Sequence, residues 1–361
     1  ATVCVYERGL LLDEDGWRTW GRWDGLPLPE QPTPTTPSAD GPLLADATPE
    51  LDLLSYYPRV RRTQEAIAAG DVYVLNLTYR ICGVATTSPE RAFGVLEARA
   101  AGDMGALFTW AGGAIASASP ERFVRVESVG DARQATIEPI KGTRPRGLTP
   151  EADRALAAEL AGDAKERAEH VMIVDMERND LGRVSVAGSV SVDPLMAVLA
   201  TPYCHQMVST VRSSLRPDVG CAELLAATFP CGSVTGAPKV AAMAITCGLE
   251  SSARGAYTGS LAIAMPGLLD SSVLIRTLEW PTAGSRAVWG TGGGITIDSD
   301  PVEEWLETLV KTVPLVGSAR PPVPLVETCR VSYGAIPLWK WHLARLASGG
   351  CGPSVSYTHL R

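Results

Sequence analysis

The chain has 361 residues, 45% of them hydrophobic, and a formal net charge of −8. That length exceeds one small domain, and that apolar content suffices for a large buried core. The acidic balance disfavours a nucleic-acid partner, because the one basic cluster, Arg59 to Arg62, is short and has no aromatic stacking partners.

The chain starts Ala1-Thr-Val-Cys-Val-Tyr-Glu-Arg, without the basic start, apolar core or cleavage site of a secretory signal. A start without Met points to a trimmed or incomplete N-terminus. Residues 1–27 read as strands around a turn at Asp13-Glu14-Asp15-Gly16. Pro27, Pro29, Pro32, Pro34, Pro37, Pro42 and Pro49 then mark a linker, so residues 1–50 are expected to be a partial N-terminal region with a proline-rich connection. Tyr56–Ala69 predicts an amphipathic helix ended by Gly70-Asp71, and Val72–Ile81 a strand by its β-branched and aromatic content. Strands are expected near Gly105–Trp110 and Arg122–Val126. Helices are expected over Pro150–Leu160 and Ala164–Asp180, divided by Gly162-Asp163, with Asp163 and Glu166 spaced as a capping box.

Strand-like runs recur at Val184–Val192, Gln206–Val211, Gly259–Ala264, Val273–Leu278 and Ala287–Trp289. Asp300-Pro301, an N-cap followed by proline, opens the last helix. Residues 317–323, rich in Gly, Pro and Ser, read as a second linker. Without a steady βαβ repeat, this order predicts an α+β core rather than a doubly wound sheet. The longest apolar runs, such as Val171–Val174 and Leu261–Ala264, fall far short of a bilayer span, so no membrane partner is expected. The eight cysteines occur singly with no C-x-x-C pair, a pattern that fits a reducing, cytoplasmic location.

Three groups of residues could carry chemistry. Glu166 and Glu169 share one helix face, and Glu304, Glu307 and Lys311 share a face of the last helix. Such carboxylates suit a hard cation such as Mg2+, or they are ordinary solvated glutamates, with Glu166 and Glu303 serving helix N-termini. Gly290-Thr-Gly-Gly-Gly could turn its backbone N–H groups onto an anion, or be a tight turn between strand and helix. Lys141 is one of only five lysines among 32 basic residues. Beside Arg144 and Arg146 its amine would have a lowered pKa and a larger nucleophilic fraction; otherwise it is a solvated loop lysine.

Together these stretches resemble the chorismate-utilising family, which includes anthranilate, aminodeoxychorismate and isochorismate synthases. The resemblance rests on Ser119-Pro-Glu-Arg-Phe, Pro139-Ile-Lys-Gly-Thr-Arg-Pro-Arg-Gly, Lys165-Glu-Arg-Ala-Glu-His and Asp175-Met-Glu-Arg-Asn-Asp-Leu-Gly-Arg. It continues through Phe229-Pro-Cys-Gly-Ser-Val-Thr-Gly-Ala-Pro-Lys, Arg254-Gly-Ala-Tyr-Thr-Gly-Ser, Gly292-Gly-Gly-Ile and Glu307-Thr-Leu-Val-Lys, and runs in order from about Tyr56 to Leu315. It implies a catalytic domain over 51–316, with two antiparallel sheets packed face to face and helices outside.

The resemblance also implies roles. Glu169 and Glu307 would hold Mg2+, with Glu166 and Glu304 bound through water. Tyr257, Arg276 and Lys311, with Thr143 and the backbone of Gly292, Gly293 and Gly294, would bind the substrate. Glu121 would protonate the departing 4-hydroxyl. Lysine at 141, where anthranilate enzymes usually carry alanine, implies the aminodeoxychorismate branch, on the route to p-aminobenzoate and folate, with a covalent Lys141 intermediate. Anthranilate synthase component I and an inactive chorismate-binding subunit are the alternatives. Val74 stands where water-adding members carry a lysine base, and Gln206 stands where relatives carry His, which leaves His205 without a role. No Cys lies in a glutaminase-like elbow, so ammonia would come from a separate glutamine amidotransferase subunit. Residues 324–361, through Trp341-His-Leu-Ala-Arg345-Leu, resemble the start of a class IV aminotransferase, cut short, and the run after Cys351 departs from it.

Overall fold

Val74–Ala85 is rich in β-branched, aromatic and aliphatic residues, and it forms a twelve-residue strand whose alternate side chains serve two different surroundings. Its odd-numbered residues Leu75, Leu77, Tyr79 and Ile81 enter an apolar core, while Asn76, Thr78 and Arg80 bond to Val234, Glu250 and Glu50 on the opposite face. In the computed structural model, residues 8–13, 16–21, 41–100, 102–130, 132–200, 204–282 and 286–317 are described. Residues 22–40 of the proline-rich stretch, residues 318–323 of the second linker and the aminotransferase-like piece 324–361 with Arg345 lie outside them.

Residues 1–37 and 38–361 separate into two units. In the first, β1 (Arg8–Asp13) and β2 (Gly16–Gly21) pair antiparallel, from Arg8↔Gly21 to Asp13↔Gly16, and the centre of the expected turn, Glu14-Asp15, lies outside the described residues.

In the second, one seven-stranded sheet has the path β14 (Gly236–Ala237), β4 (Val74–Ala85), β18 (Ala287–Ile295), β17 (Thr277–Trp280), β6 (Gly113–Ser119) and β5 (Met104–Trp110), with β3 (Leu44–Pro49) also on β4. A six-stranded sheet runs β10 (Ser191–Val192), β13 (Val211–Ser214), β8 (Ala132–Ile137), β7 (Arg122–Val129), β16 (Leu268–Val273) and β15 (Ser260–Met265). A small sheet joins β11 (Ala197–Ala200), β12 (Cys204–Val208) and β9 (Ile140–Pro145). Every described strand pairing is antiparallel, so the fold is α+β as expected.

The helices are α1 (Leu53–Ala68), α2 (Pro89–Ala100), α3 (Pro150–Gly162), α4 (Ala164–Gly182), α5 (Cys221–Thr228), α6 (Lys239–Leu249), α7 (Pro301–Val310) and the short α8 (Val313–Val316). One apolar core lies between the seven-stranded sheet and α1, α2, α6 and α7, around Tyr56, Leu96, Trp289 and Trp305. A second lies between the six-stranded sheet and α4 and α5, around Phe123, Ile137, Leu181 and Leu224. Each large side chain fully buried there contributes roughly 1.5–3 kcal/mol.

The chain passes between the two large sheets at two neighbouring places. β6 leads into β7 through Pro120-Glu121, and β16 leads into β17 through Leu274, Ile275 and Arg276. The two crossings are bonded to each other: Val273 N–H donates to Glu121 C=O at 3.0 Å, and Ala118 N–H to Arg276 C=O at 3.1 Å.

Six sequence expectations change. Val273–Leu278 and Gln206–Val211, each expected as one strand, both span a break, at 274–276 between β16 and β17 and at 209–210 between β12 and β13. Leu44–Pro49, read as linker, is strand β3, because its backbone pairs with β4 despite its flanking prolines. Val184–Val192 is strand only at Ser191–Val192. Asp163 caps α4 through the N–H groups of Lys165 and Glu166, but its own N–H bonds to Leu160 C=O and the Glu166 carboxylate turns to Arg144, so the reciprocal half of the capping box is not made. The glycine run is neither turn nor helix entry. It is the second half of β18, paired with β4 from Gly290↔Arg80 to Gly294↔Asn76.

Candidate active site

Lys141 lies on β9, and its Nζ is 2.8 Å from Glu169 Oε2 on α4. Around this pair two helices bring together the carboxylates expected from spacing. Lys165 Nζ stands 4.0 Å from Glu169 and 3.8 Å from Glu304, bridging α4 to α7. Glu304 accepts from Ser299 at 2.6 Å, Glu307 pairs with Lys311 at 2.7 Å, and Glu166 meets Arg144 at 3.4 Å. Lys311 also donates to Gly292 C=O at 2.8 Å, tying the end of α7 to β18.

This arrangement corrects the expected cause of lysine activation. Arg144 is engaged by Glu159, Asp163 and Glu166, and Arg146 by Asp153, so neither guanidinium acts on the amine. Burial disfavours the charged Lys141 amine, but Glu169, Glu307 and Glu166 outweigh it and hold the pKa above its usual value. Lys141 therefore rests as an ammonium ion within a carboxylate cluster.

Glu121, at the crossing between sheets, is buried, and its Oε1 accepts from Ser233 Oγ at 2.6 Å. Burial pushes its carboxyl up to about 7, against the opposing pull of Ser233, the Ile140 backbone, Lys141 and Arg276. Such a group is still substantially protonated near neutrality and can give up a proton there. Arg276, at the other crossing with φ of 49°, makes one long hydrogen bond, 3.5 Å to Ala100 C=O, and burial lowers its pKa. Among the described residues no carboxylate makes a salt bridge with it, which leaves its donors suited to an incoming anion.

The glycines of β18 make room for these groups. β17 pairs with β18 only at Leu278↔Trp289 and Glu279↔Val288, so Gly290–Ile295 is bonded to β4 on one side alone. A Cβ on Gly290 would meet the Tyr257 ring at 2.0 Å; one on Gly293 would lie 3.3 Å from Glu304 Oε2. A Cβ on Gly294 would lie 3.0 Å from Lys141 Nζ and 3.6 Å from Val74 Cγ2. Burial raises the pKa of Tyr257, so its hydroxyl stays protonated. Val74 thus lines the site beside Lys141, where an apolar side chain can neither take nor give a proton.

On β12, Gln206 lies directly opposite Thr143, next to the break in register that holds Lys141 and Gly142. His205 points the other way and bonds Asp153 of α3 at 2.9 Å, which gives it a structural place. His170 ties α4 to the link between β12 and β13: its Nε2 meets Ser209 Oγ at 2.6 Å, and burial drops its pKa to about 4, so it is neutral. Reasoning from sequence assigned no role to Ser233 or Lys165, although both lie in the quoted motifs. Ser233 is 112 positions from Glu121 in the chain, and only the fold makes them neighbours.

Among the described residues no three His, Cys, Asp or Glu side chains are grouped closely enough to hold an ion as they stand. The oxygen donors nevertheless fit a hard cation in kind. Buried Glu169 and Glu304 and the more exposed Glu307 and Glu166 converge from α4 and α7, and the positive charge among them comes from Lys141, Lys165 and Lys311.

A sequence profile of the chorismate binding enzyme family matches residues 16–317. The chain belongs to that family. It is 40% identical over 293 residues to an aminodeoxychorismate synthase of Streptomyces griseus, an alignment covering 80% of this chain and 38% of that protein. Aminodeoxychorismate synthase component 1 of Escherichia coli is 39% identical over 277 residues, covering 76% and 60%. Anthranilate synthase component 1 of Synechocystis follows at 38% over 270 residues, covering 73% and 53%. Among solved structures, anthranilate synthase component I of Streptococcus pneumoniae superposes with a TM-score of 0.66 at 32% identity, covering 76% of this chain and 60% of that one. This family member therefore spans less than two thirds of these relatives' own lengths. Identity alone does not separate amination at one ring position from amination at another, so that distinction falls to the site.

Proposed function

We propose that this chain is an aminodeoxychorismate synthase, converting chorismate and ammonia to 4-amino-4-deoxychorismate. The observation that carries the reading is Lys141, an amine facing the glycine floor of β18 at Gly294, in the same site as the protonated, buried Glu121. The Lys141 amine adds to carbon 2 of the substrate ring as the double bond shifts, while Glu121 gives its proton to the 4-hydroxyl, which leaves as water. Ammonia then attacks carbon 4, the double bond shifts back, and the Lys141 nitrogen leaves carbon 2. A proton is lost from the new amine and Glu121 is reprotonated.

Since Lys141 rests as an ammonium ion, it must first lose a proton, and Glu169 Oε2 at 2.8 Å is the neighbouring acceptor. Arg276, Lys311 and the Tyr257 hydroxyl hold the substrate's carboxylates, and Thr143 with the Gly292–Gly294 backbone shapes the same surface. Mg2+, held by Glu169 and Glu307 with Glu166 and Glu304 beside them through water, would supply charge that neutralises the ring carboxylate. Ammonia comes from a glutamine amidotransferase subunit. In favour of a partner stands the word "component" in the name of the Escherichia coli relative.

The test is the product formed by the purified chain from chorismate, MgCl2 and an ammonium salt, resolved by chromatography. The reading expects 4-amino-4-deoxychorismate, and its loss by orders of magnitude in Lys141→Ala while chorismate binding persists. Anthranilate as the product, or an undiminished rate in the Ala variant, would refute it.

A further inference from the structure

Behind Glu121 lies a second buried carboxyl group that the proposed reaction does not use. Glu177, on α4, is fully buried, and its Oε1 accepts from Gly232 N–H at 3.0 Å and from Cys231 Sγ at 3.7 Å. Gly232 opens the one-turn 3-10 helix Gly232–Val234, which carries Ser233. The Ser233 hydroxyl lies 3.3 Å from Cys231 Sγ and donates to Glu121 Oε1 at 2.6 Å. The approach of α4 to this turn is close enough that a Cβ on Gly232 would sit 2.8 Å from Glu177 Oε1. The other end of the turn is closed by Thr235, whose hydroxyl donates to Cys231 C=O at 2.8 Å.

We propose that Glu177 is a positioning residue for the general acid, holding the Cys231–Val234 turn so that the Ser233 hydroxyl stays on Glu121. This rests on the role assigned to Glu121 above. Glu177 is suited to the task because it is neutral at the working pH: burial and the nearby Asp180 push it up to about 8, against Lys239 and the Gly232 N–H. Lys239 itself is held by Asp180, Thr228 C=O and Pro230 C=O. The groups facing Glu121 are Ser233 and the Cys231 thiol from the turn, the Ile140 backbone and Lys141 from β9, Arg276 from the second crossing and Glu177 itself from α4.

The consequence is a shift in proton affinity at a distance. The Ser233 O–H stabilises the ionised form of Glu121 and so draws its pKa down from where burial alone would put it. When Gly232 loses its acceptor on Glu177, the turn loosens, the Ser233 bond weakens, and the Glu121 pKa rises. The alkaline limb of the rate profile then moves upward in pH while the maximal rate falls.

The experiment compares kcat against pH for the wild type, Glu177→Ala, Glu177→Gln, Ser233→Ala and the Glu177→Ala/Ser233→Ala double variant. Alongside it, the Glu121 carboxyl of the substrate-free protein is titrated by infrared difference spectroscopy, using Glu121→Gln to assign the band. Glu177→Ala and Ser233→Ala should each move both the limb and the carboxyl titration up by about one unit, the size of one lost hydrogen bond to a charged group. The double variant should move them no further than Ser233→Ala does, and Glu177→Gln, which keeps an oxygen for Gly232, should restore the wild-type position.

A folded Glu177→Ala protein with the wild-type titration would overturn the proposal, since a merely structural role lowers stability without moving Glu121. So would a Glu177→Gln protein that titrates like Ser233→Ala, which also covers the case in which Glu177→Ala does not fold. If the wild type makes no amine from chorismate, the functional reading fails, yet the infrared titration still decides the part played by Glu177.

Discussion

Glu121 shows how a single position acquires acid chemistry. Its carboxyl is pushed up to about 7 from 4.5, chiefly by burial where the chain passes between sheets. A group with a raised folded pKa adds stability that is complete below about 4.5 and is lost as pH rises through about 7, where the buried carboxyl must ionise. Activity should follow the same direction. With ammonia held saturating, kcat should fall as pH rises through about 7, where the proton to be donated is lost. Glu121→Gln should cost about 10²–10⁴-fold in kcat and remove that limb, and its stability should depend less on pH between those two values in thermal melts. Lys141 behaves in the opposite sense: its carboxylate neighbours keep it charged, so its nucleophilic form arises only on proton transfer.

At the scale of elements, β18 makes a testable division between fold and function. Gly290→Ala would drive a methyl group into the Tyr257 ring, where 2.0 Å leaves no room, and should destabilise the protein by about 1–3 kcal/mol in chemical denaturation. Gly294→Ala meets the end of the flexible Lys141 side chain at 3.0 Å and Val74 Cγ2 at an ordinary contact distance of 3.6 Å. It should leave stability nearly unchanged and lower activity by crowding the amine. The helices α4 and α7 divide similarly. Glu169→Gln and Glu307→Gln should fold but raise the Mg2+ concentration needed for half-maximal rate. Glu303→Gln, on the exposed side of α7 next to its Asp300 cap, should leave that requirement as in the wild type. Equal behaviour of the three in a Mg2+ titration would dismiss the assignment of the metal to these two helices.

At the scale of the molecule, the proposed function has an acidic chain accommodate an anionic substrate by concentrating positive charge at one place. Lys141, Lys165, Lys311 and Arg276 come from β9, α4, the end of α7 and the link between β16 and β17. On the same proposal, the source of nitrogen would be a property of an assembly with an amidotransferase. The isolated chain should use ammonium salts and not glutamine, and at fixed total ammonium and below the limb set by Glu121 its rate should rise with pH as neutral ammonia increases. Adding a compatible amidotransferase subunit should confer glutamine use. Glutamine-driven product from the purified chain alone, with contaminating glutaminase removed, would show that assignment to be mistaken.

Much of this was legible from the amino-acid order because it depends on neighbours a few residues apart. Asp300-Pro301 had to open a helix, since the side chain of one and the fixed φ of the other act within a single turn. The 3.6-residue period likewise sets Glu166 with Glu169, and Glu304 with Glu307, on common faces, and the motif from Pro139 to Gly147 marks Lys141. What a glycine is for cannot be read locally. The run at 290–294 looks like a turn, yet the small size is required by Tyr257, Glu304 and Lys141, side chains contributed from elsewhere in the fold. The charge state of Lys141 was misjudged for the same reason. Arg144 and Arg146 are its neighbours in sequence, but electrostatic energy depends on distance in space, where carboxylates claim both guanidiniums and Glu169 claims the amine. The sequence by itself therefore determined the elements and the inventory of reactive groups. Only the tertiary structure decided which groups meet and which of them carry protons, because burial and long-range pairing arise when α4, α7, β9 and the two sheet crossings come together.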